Sequence, residues 1–386
     1  MEILCFCHLR WGFVYQRPQH LLARFGASGR VHFWEEPCFE EITSPKLVRS
    51  AGTAGVHVLT PVLPHGLTEQ EVILVQRRLL DAYLAQENVE EFVSWYYTPM
   101  ALEFSDHLNP VTVVYDCMDE LSAFQGASSR LLDQERHLFA RTDIVFAGGA
   151  SLYQAKRPQH GNVHLFASSI DHDHFNSARS AQNDPADQRE IPHPRIGFYG
   201  VLDERFDRVL LRETAAAHPE WHFVLLGPVV KIREEDLPRG ANLHYLGHKS
   251  YSDLPCYLAN WDVAMLPFAR NASTRFISPT KTPEYLAGGK PVVSTPIHDV
   301  VKPYGDMGLV RIGENSTEFA EAIRQSLEPA GAGWLAKVDR FLARNSWDKT
   351  FEAMWKEIQR VIAQGSASSA HSTDQAEKGG EGCLTI

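Results

Sequence analysis

The residues best suited to bind an anionic ligand lie close together in the second half of the chain. The segment from Ser278 to Glu284 reads SPTKTPE, and between Arg270 and Lys290 there are four basic residues and one acid. The whole protein, in contrast, carries a formal net charge of -11. A local positive charge within an acidic protein favours a small anionic ligand at this place.

Turn and helix signals place these charged side chains at the start of a short helix that two glycines end. The N-cap and the first two helical positions are predicted to be Thr282, Pro283 and Glu284. Backbone N–H groups at such a start would point toward a phosphate, and Lys281 would add positive charge. A capping box would place the acid at Tyr285, so Glu284 is predicted to accept hydrogen bonds from ribose hydroxyls.

Short apolar runs separated by amphipathic stretches predict the elements that position this segment. In the first half the strand-like runs are EILCFC, VHFW, VHVLTPV, EFVSWYY, VTVVYDC, DIVFAG and NVHLF. In the second half they are RIGFYG, HFVLLG, NLHYLG, DVAMLPF and PVVST. Strands that alternate with helices are typical of parallel sheets covered on both faces. The sequence therefore predicts an α/β protein with two facing Rossmann-like domains and a cleft between them.

Changes in composition predict the boundaries of these domains. A polar, proline-bearing stretch without periodicity, residues 176–194, is expected to link a first domain, 1–175, to a second domain, 195–345. The remaining segments are predicted as a C-terminal helix over 346–364, with room to cross back to the first domain, and a disordered tail over 365–386.

Composition also bounds the class of function. No apolar run approaches the roughly 18 residues that a membrane-spanning helix needs. The six cysteines form no Cys-x-x-Cys pair or zinc-type cluster, which fits reduced thiols in a cytoplasmic protein without a metal site. The net negative charge argues against nucleic acid as a partner, since phosphate contacts need a basic surface.

The stretch SPTKTPEYLAGGKPVVSTP resembles the donor-site signature of the large retaining glycosyltransferase family 4, or glycosyltransferase group 1, whose members have the GT-B architecture. Further similar stretches are IGFYGVLDERFD, YLGHKSYSDLPCYLANWDVAMLPF and SSIDHDHF. The N-terminal RWGFVYQRPQHLLARF and YDCMDELSAF resemble a subgroup associated with teichuronic acid or O-antigen assembly. The resemblance extends over about residues 1 to 360.

The resemblance implies roles for individual residues of the second domain. Arg205 and Lys281 would bind the donor phosphates and assist catalysis, Glu284 would bind the ribose, and Gly200 would let the backbone approach the donor. The remaining donor-binding residues would be Ser278, Pro279 and Thr280. His248 and Lys249 stand in the loop where the family reads the base, mostly through the backbone.

The sequence departs from the family at one position. The family usually has a second acid eight residues before the ribose-binding one, where it meets the donor sugar, and Phe276 occupies that position here. Recognition of the sugar is therefore expected to differ, and the retaining outcome is less secure than the fold.

Polar residues after two strands of the first domain are the candidates on the acceptor side. The family often has a catalytic-side histidine after the strand VTVVYDC, and Asp116 stands nearby. Such a carboxylate would orient an acceptor hydroxyl or stabilise an oxocarbenium-like transition state. The other candidates are Asp119, which could instead cap the next segment, and His8, Arg10 and Trp11 after the first strand.

These observations predict a hexosyltransferase that moves a sugar from a nucleoside-diphosphate sugar, expected to be a UDP-sugar, to a hydroxyl of an envelope polysaccharide or lipid-linked glycan. No cofactor and no metal ion would be required. This acceptor class leaves room for peripheral association with the inner face of the cytoplasmic membrane. Two alternatives stay open at this point: a nucleotide-sugar epimerase of the same architecture, and a non-catalytic nucleotide-sugar-binding protein.

Overall fold

The computed structural model describes residues 1–53, 55–181, 183–331 and 333–378, with side chains as far as residue 365. Within these residues the chain forms two parallel sheets flanked by helices, one sheet in each half. The predicted α/β architecture with two facing Rossmann-like domains is confirmed. The eight residues at the end of the predicted tail, 379–386, lie outside the described part.

The first sheet is built from the strands of the first half. These are β1 (Glu2–Cys7), β2 (Arg30–Glu35), β3 (Cys38–Glu40), β4 (Lys46–Ala51), β5 (Val56–Pro64), β6 (Phe92–Tyr96), β7 (Thr112–Cys117), β8 (Ile144–Ala147) and β9 (Val163–Leu165). The order across the sheet is β3-β5-β2-β1-β6-β7-β8-β9, all parallel, and β4 pairs antiparallel with β5. All seven predicted runs form strands. The runs of β3 and β4 were missed because they are mostly exposed and hold only two adjacent apolar residues each.

Helices cover both faces of this sheet. They are α1 (Arg17–Ser28), α2 (Glu69–Glu87), α3 (Leu102–Ser105), α4 (Leu131–Arg141) and α5 (Ala150–Lys156). The short helix α6 (His172–Asn176) comes next in the chain and packs against helices of the second domain. The side chain of Thr68 accepts a hydrogen bond from the Glu71 backbone and forms a capping box that fixes the start of α2. Pro18, near the start of α1, has a fixed φ that suits the first helical turn.

The second sheet repeats this plan in the second half. Its strands are β10 (Arg195–Tyr199), β11 (His222–Leu226), β12 (Leu243–Gly247), β13 (Val263–Leu266), β14 (Val292–Ser294) and β15 (Val310–Ile312). Their order is β12-β11-β10-β13-β14-β15, and all are parallel. The helices are α7 (Arg208–Ala217), α8 (Leu254–Ala259), α9 (Lys281–Ala287), α10 (His298–Val300), α11 (Ser316–Leu327) and α12 (Trp334–Leu342).

The segment between the sheets, predicted as a linker over 176–194, packs against the second domain. Gln188 is fully buried, and its side-chain oxygen accepts a hydrogen bond of 2.8 Å from the Trp261 indole nitrogen. Asp184 pairs with the buried Arg195 guanidinium at 2.8 Å. These contacts fix the path of the segment, so that it holds β10 in place as well as joining the domains.

The last helix, α13 (Trp347–Lys378), returns to the first domain. Trp347, Met354 and Ile358 are buried in the hydrophobic cluster of the first sheet, and the Trp347 ring stacks on His20 at 4.5 Å. The helix continues through residues 365–378, which composition alone assigned to a disordered tail. Extending an existing helix avoids the cost of nucleation, which composition alone does not take into account.

A buried ion pair joins α1 to β7. The Arg17 Nε lies 3.0 Å from both carboxylate oxygens of Asp116, and its Nη1 donates a hydrogen bond of 2.7 Å to the Phe166 carbonyl. Asp116 has no exposed surface. Burial raises its pKa, while Arg17 acts in the opposite direction. This corrects the expectation that Asp116 faces an acceptor, because α1 and α13 cover that face of the sheet and the carboxylate is already occupied by Arg17.

We predict that Asp116→Ala lowers the stability of the protein by about 3–5 kcal/mol, because it leaves the Arg17 guanidinium buried without its partner. The measurement is the urea midpoint followed by circular dichroism. The matched control is Asp133→Ala, which breaks an exposed pair with Arg136 and should cost at most about 1 kcal/mol. A wild-type midpoint for Asp116→Ala would contradict the structural role.

Candidate functional site

A cavity of about 350 Å³ opens between the two domains. It lies at the carboxyl ends of β10 and β11, next to the point where the strand order of the second sheet reverses between β10 and β13. In open parallel sheets this reversal creates the crevice in which ligands bind. Gly200, Gly227, Lys281 and Glu284 line the second-domain side, and the loop over residues 11–16 lines the other.

Lys281 is the first residue of α9 and points into this cavity. Helix α9 starts two residues earlier than predicted, with Thr280 at its N-cap, so Glu284 is the fourth helical residue instead of the second. Within the described residues the Lys281 Nζ has no hydrogen bond or ion pair. Burial and the charge of Arg205 lower its pKa, and the charges of three carboxylates act in the opposite direction, those of Glu284, Asp203 and Asp119. A positively charged group without a partner is therefore available to an anionic ligand.

Gly200 provides the space that the Lys281 side chain occupies. A Cβ at Gly200 would lie 2.3 Å from the Lys281 Cε, and the φ of +148° disfavours any L side chain. Gly227, at the end of the neighbouring strand, is equally constrained: its Cβ would lie 1.8 Å from the Gly200 carbonyl oxygen. The two glycines let the strand ends and the lysine approach each other closely.

Glu284 is buried, and Tyr199 holds its carboxylate in place. The Tyr199 hydroxyl donates a hydrogen bond of 2.7 Å to Glu284 Oε2. Burial raises the pKa of Glu284, whereas Lys281 and Tyr199 lower it. The Tyr285 hydroxyl accepts a hydrogen bond of 3.0 Å from the Tyr199 backbone, which fixes the strand end against α9. The orientation of Glu284 thus depends on a tyrosine that sequence reasoning did not select.

A smaller cavity of about 100 Å³ adjoins the first one. Thr280 and Lys281 line both cavities, whereas Ser278, Pro279 and Arg205 line the smaller one. Asp119, from the loop after β7, lines it from the first domain. The structure therefore brings residues of both domains around this smaller space, with the Lys281 side chain at the boundary.

Arg205 and Asp119 give the smaller cavity opposite charges. The Arg205 Nη2 lies 2.7 Å from Asp203, whose buried carboxylate also accepts two hydrogen bonds of 3.0 Å from the Arg205 Nε. The guanidinium also stands over the Phe124 ring, 5.2 Å from its centroid. Burial raises the pKa of Asp119, and the charge of Arg205 opposes that shift. The Arg205 guanidinium is therefore fixed by Asp203 and Phe124, although the charged sequence around it would also suit a solvated side chain.

Aromatic residues of the first domain close the larger cavity. Trp11, Phe13 and Tyr15 belong to the loop after β1 that lines it. The Tyr15 ring stacks on Tyr251 of the second domain with 4.6 Å between centroids. His248 contacts the Phe13 carbonyl at 3.1 Å. Trp11, predicted on the acceptor side, thus lines the cavity that the predicted donor residues share.

Two of the candidates from the first domain lie outside both cavities. Arg10 pairs with Glu35 at 3.0 Å and His8 is close to the end of β1, but neither lines the two cavities described above. Burial lowers the pKa of His8 to about 4. Lys249 lines the larger cavity, although its ammonium pairs with Asp187 at 2.6 Å. The two first-domain candidates are therefore corrected: packing of the loop, which sequence spacing does not define, turns them away.

Phe276, which stands where the family usually has an acid, packs against the hydrophobic cluster of the first domain. The Arg275 guanidinium lies over its ring, 5.1 Å from the centroid. Phe276 is not among the residues that line either of the two adjoining cavities. The Phe276 side chain contributes to the contact between domains. Its position lies outside both cavities, so the absence of an acid there does not change their lining.

Sequence reasoning missed the residues that support the selected ones. Tyr199 holds Glu284, Asp203 holds Arg205, and Tyr251 lines the larger cavity with a buried hydroxyl that has no hydrogen-bond partner among the described residues. Tyr199 and Asp203 lie on either side of Gly200 in the run FYGVLD. Their position at the end of a predicted strand could have identified them as candidates.

The second domain matches a family model described as "Glycosyl transferases group 1" over residues 193–329. A protein of Bacillus subtilis (strain 168), named as a teichuronic acid biosynthesis glycosyltransferase, TuaH, is 25% identical over 296 residues, which are 70% of this chain and 73% of that protein. These two findings support a glycosyltransferase.

Two solved structures are similar over nearly their whole length. One is described as "Trehalose-6-phosphate from E. coli bound with UDP-2-fluoro glucose", with a TM-score of 0.67, 10% identity, and coverage of 94% of this chain and 99% of that one. The other is Anabaena Alr3699/HepE in complex with UDP and glucose, with a TM-score of 0.65, 14% identity, and coverage of 93% and 100%. The fold is GT-B.

The described residues offer neither a membrane-spanning helix nor a metal-binding cluster. None of the helices there combines the length and the apolar character needed to cross a membrane. Likewise, no group of three or more His, Cys, Asp or Glu side chains in that part of the chain is arranged to hold a metal ion.

We predict that Gly200→Ala weakens binding of UDP, used as a probe, by about tenfold to hundredfold. The added methyl group would displace the Lys281 side chain, and overpacking of this kind costs about 1–3 kcal/mol. Calorimetric titration measures the effect. Gly12→Ala is the control, because Gly12 lines the same cavity but a Cβ there meets no heavy atom within 4 Å. Equal affinities for the two variants would contradict the close approach at Gly200.

Proposed function

We propose that this protein is a glycosyltransferase that moves a sugar from a nucleoside-diphosphate sugar to a hydroxyl group of an acceptor. The observation that carries the proposal is the unpaired Lys281 ammonium at the boundary of two adjoining cavities, with Arg205 in one and Glu284 in the other. Two cations flanking the diphosphate and a fixed carboxylate near the ribose are what such a donor requires.

The two cavities suggest how the donor lies. The nucleoside would occupy the larger cavity, with Glu284 accepting hydrogen bonds from the ribose hydroxyls. The diphosphate would pass Lys281, and the sugar would enter the smaller cavity between Arg205 and Asp119. UDP is the proposed nucleotide, because two structures with the same fold were determined with UDP or a UDP-sugar.

In the proposed reaction the bond between the sugar C1 and the β-phosphate oxygen breaks, and a bond from C1 to the acceptor oxygen forms. The acceptor hydroxyl gives its proton to the departing diphosphate in the retaining version of the reaction. Lys281 and Arg205 would stabilise the negative charge that develops on the leaving group. Holding donor and acceptor together in the cleft would lower the barrier further, because the reacting atoms are already close and oriented.

Asp119 takes the place that the sequence analysis gave to Asp116. Its carboxylate lines the smaller cavity and has no side-chain hydrogen bond among the described residues. It would contact the donor sugar or the acceptor hydroxyl.

The acceptor is proposed to be a cell-envelope polysaccharide or a lipid-linked glycan, by analogy with the name of the Bacillus subtilis relative. Peripheral association with the inner face of the cytoplasmic membrane belongs to the same proposal. An epimerase would convert the donor without any acceptor, and a binding protein would bind it without turnover. Incubation of the protein with UDP-sugars alone and then with acceptor separates the three.

We predict that Lys281→Ala reduces transfer by about a hundredfold or more, because removing a group that stabilises leaving-group charge costs about 3–4 kcal/mol of transition-state energy. Initial rates with saturating donor measure the loss, and the thermal midpoint verifies folding. Arg275→Ala is the matched control from the same basic segment, since Arg275 lines neither adjoining cavity. Full activity of Lys281→Ala would exclude this site.

We also propose that the reaction needs no cofactor or metal ion, because Lys281 and Arg205 already supply two positive charges for the diphosphate. Excess EDTA is therefore expected to leave the transfer rate unchanged. The rate is measured before and after chelation and after addition of Mg²⁺ or Mn²⁺. A rate that falls with EDTA and returns with one of these ions would contradict this part of the proposal.

A further inference from the structure

A third cavity, of about 420 Å³, lies within the first domain. It is enclosed by the carboxyl ends of β1, β2 and β6, by the first turns of α2, and by α3. None of its lining residues lines the two cavities between the domains. Its volume falls within the range of small-molecule sites, about 300 to 1,000 Å³.

The topology of the first sheet indicates that this cavity is a binding site. The chain runs from β1 to β2 on one side, and β6 pairs with β1 on the other, so the strand order reverses between β1 and β6. Ligands of parallel sheets bind outside the carboxyl ends at such a reversal. The proposed donor uses the equivalent place in the second sheet, and this cavity is its counterpart in the first.

The inner wall of the cavity is aromatic. Phe6, Trp34 and Phe104 contribute rings, with 5.7 Å between the centroids of Phe6 and Phe104 and 6.0 Å between those of Trp34 and Phe104. These three side chains are almost wholly buried and form the base of the wall, and Phe39, which also lines the cavity, is 44% exposed. Aromatic faces offer large apolar contact areas, which suit the C–H face of a sugar ring.

The polar groups of the cavity are mostly hydrogen-bond acceptors. Its lining contains four carboxylates, and Arg130 provides the charge of opposite sign; the carboxylates belong to Glu35, Glu36, Glu69 and Glu103. Arg130 already pairs with Glu69 at 3.2 Å and with Glu103 at 2.8 Å. Glu36 has no hydrogen bond or ion pair within the described part of the chain. Burial raises the pKa of Glu103, and Arg130 opposes that rise.

The excess of carboxylates over cations in this lining favours a ligand without negative charge. Carboxylates accept hydrogen bonds from hydroxyl groups but repel phosphates and other carboxylates. Arg10 and Lys231 are the other cations near Glu36, and Arg10 is bound to Glu35 at 3.0 Å. The cavity therefore suits a ligand rich in hydroxyl groups and without negative charge.

We propose that this cavity binds the acceptor and that the acceptor presents an uncharged glycosyl unit there, not a sugar phosphate or a uronic acid. The inference rests on the proposed function, since it assigns the second substrate of that reaction. The apolar wall would hold the ring face of the sugar, while Glu36 and Glu103 would accept hydrogen bonds from its hydroxyl groups.

The test uses the full chain and two variants of neighbouring residues on α2. Ile73→Trp fills the cavity, because Ile73 lines it, whereas Leu74→Trp adds the same ring on the exposed surface and is the matched control. The probes are neutral p-nitrophenyl glycosides of glucose, galactose, mannose and N-acetylglucosamine. p-Nitrophenyl glucuronide and glucose 6-phosphate are the anionic probes. Binding is measured by calorimetry and by saturation-transfer NMR.

At least one neutral glycoside is expected to bind about tenfold or more tightly than either anionic probe. Ile73→Trp should weaken that binding by about tenfold or more, and Leu74→Trp should leave it unchanged. Glu36→Gln should reduce the difference in affinity between the p-nitrophenyl glucoside and the p-nitrophenyl glucuronide, because it removes one negative charge. Tightest binding by an anionic probe, binding by no neutral glycoside, or binding that Ile73→Trp leaves intact would overturn the proposal.

UDP titrations of the same proteins separate this proposal from the proposed function. Ile73→Trp should keep wild-type affinity for UDP, which also shows that the variant is folded. If UDP binds and Lys281→Ala stops transfer, but Ile73→Trp leaves the acceptor KM unchanged, the acceptor cavity is wrong and the transferase function stands. If neutral glycosides bind here and UDP does not bind at all, the transferase function fails instead.

Discussion

A lysine ammonium without a partner is costly to place in a cleft from which water is largely removed, and Lys281 is such a group. Three carboxylates act on it from a distance, those of Glu284, Asp203 and Asp119, and they belong to both domains. Gly200 gives the side chain the room to reach its position. The carboxylates oppose the lowering of the Lys281 pKa by burial and by Arg205 without contacting the ammonium, which leaves that group available for an anion.

Two other charged residues of the site, Arg205 and Glu284, are fixed by neighbouring side chains. Asp203 fixes Arg205 through several hydrogen bonds, and Tyr199 fixes Glu284 through one. Side chains held in advance lose less conformational freedom when a ligand arrives, so more of the contact energy appears as affinity. Arg205 and Glu284 are therefore oriented by the second domain before any ligand is present.

Contacts between the domains complete the cavities. Tyr15 stacks on Tyr251, His248 contacts the Phe13 carbonyl, and the Arg205 guanidinium stands over Phe124 of the first domain. Helix α13 adds Trp347 to the first-domain cluster. A ligand between the domains would touch both, so its binding and the closure of the cleft are coupled energetically. The cavity proposed for the acceptor lies in the first domain only and can form independently of that closure.

The sequence by itself determined the two parallel sheets and the segment of greatest chemical interest. Alternating apolar runs defined most strands, because burial on both faces of a parallel sheet leaves a nearly continuous apolar signature. Local charge and turn residues selected Lys281 and Glu284, which are neighbours in both sequence and space. The exposed strands β3 and β4 were missed because they lack that signature. Strand β15 was missed because the exposed Arg311 interrupts its apolar residues.

Only the tertiary structure decided which residues of the first domain face the cleft. Asp116 and Asp119 are three residues apart, yet one is paired with Arg17 in the core and the other lines a cavity. Trp11 joined the larger cavity while Arg10 turned to Glu35. The partners that make these choices are distant in the chain: Arg17 and Asp116 are 99 positions apart. Composition and spacing describe neighbours along the chain, whereas the direction of a side chain depends on what packs against it.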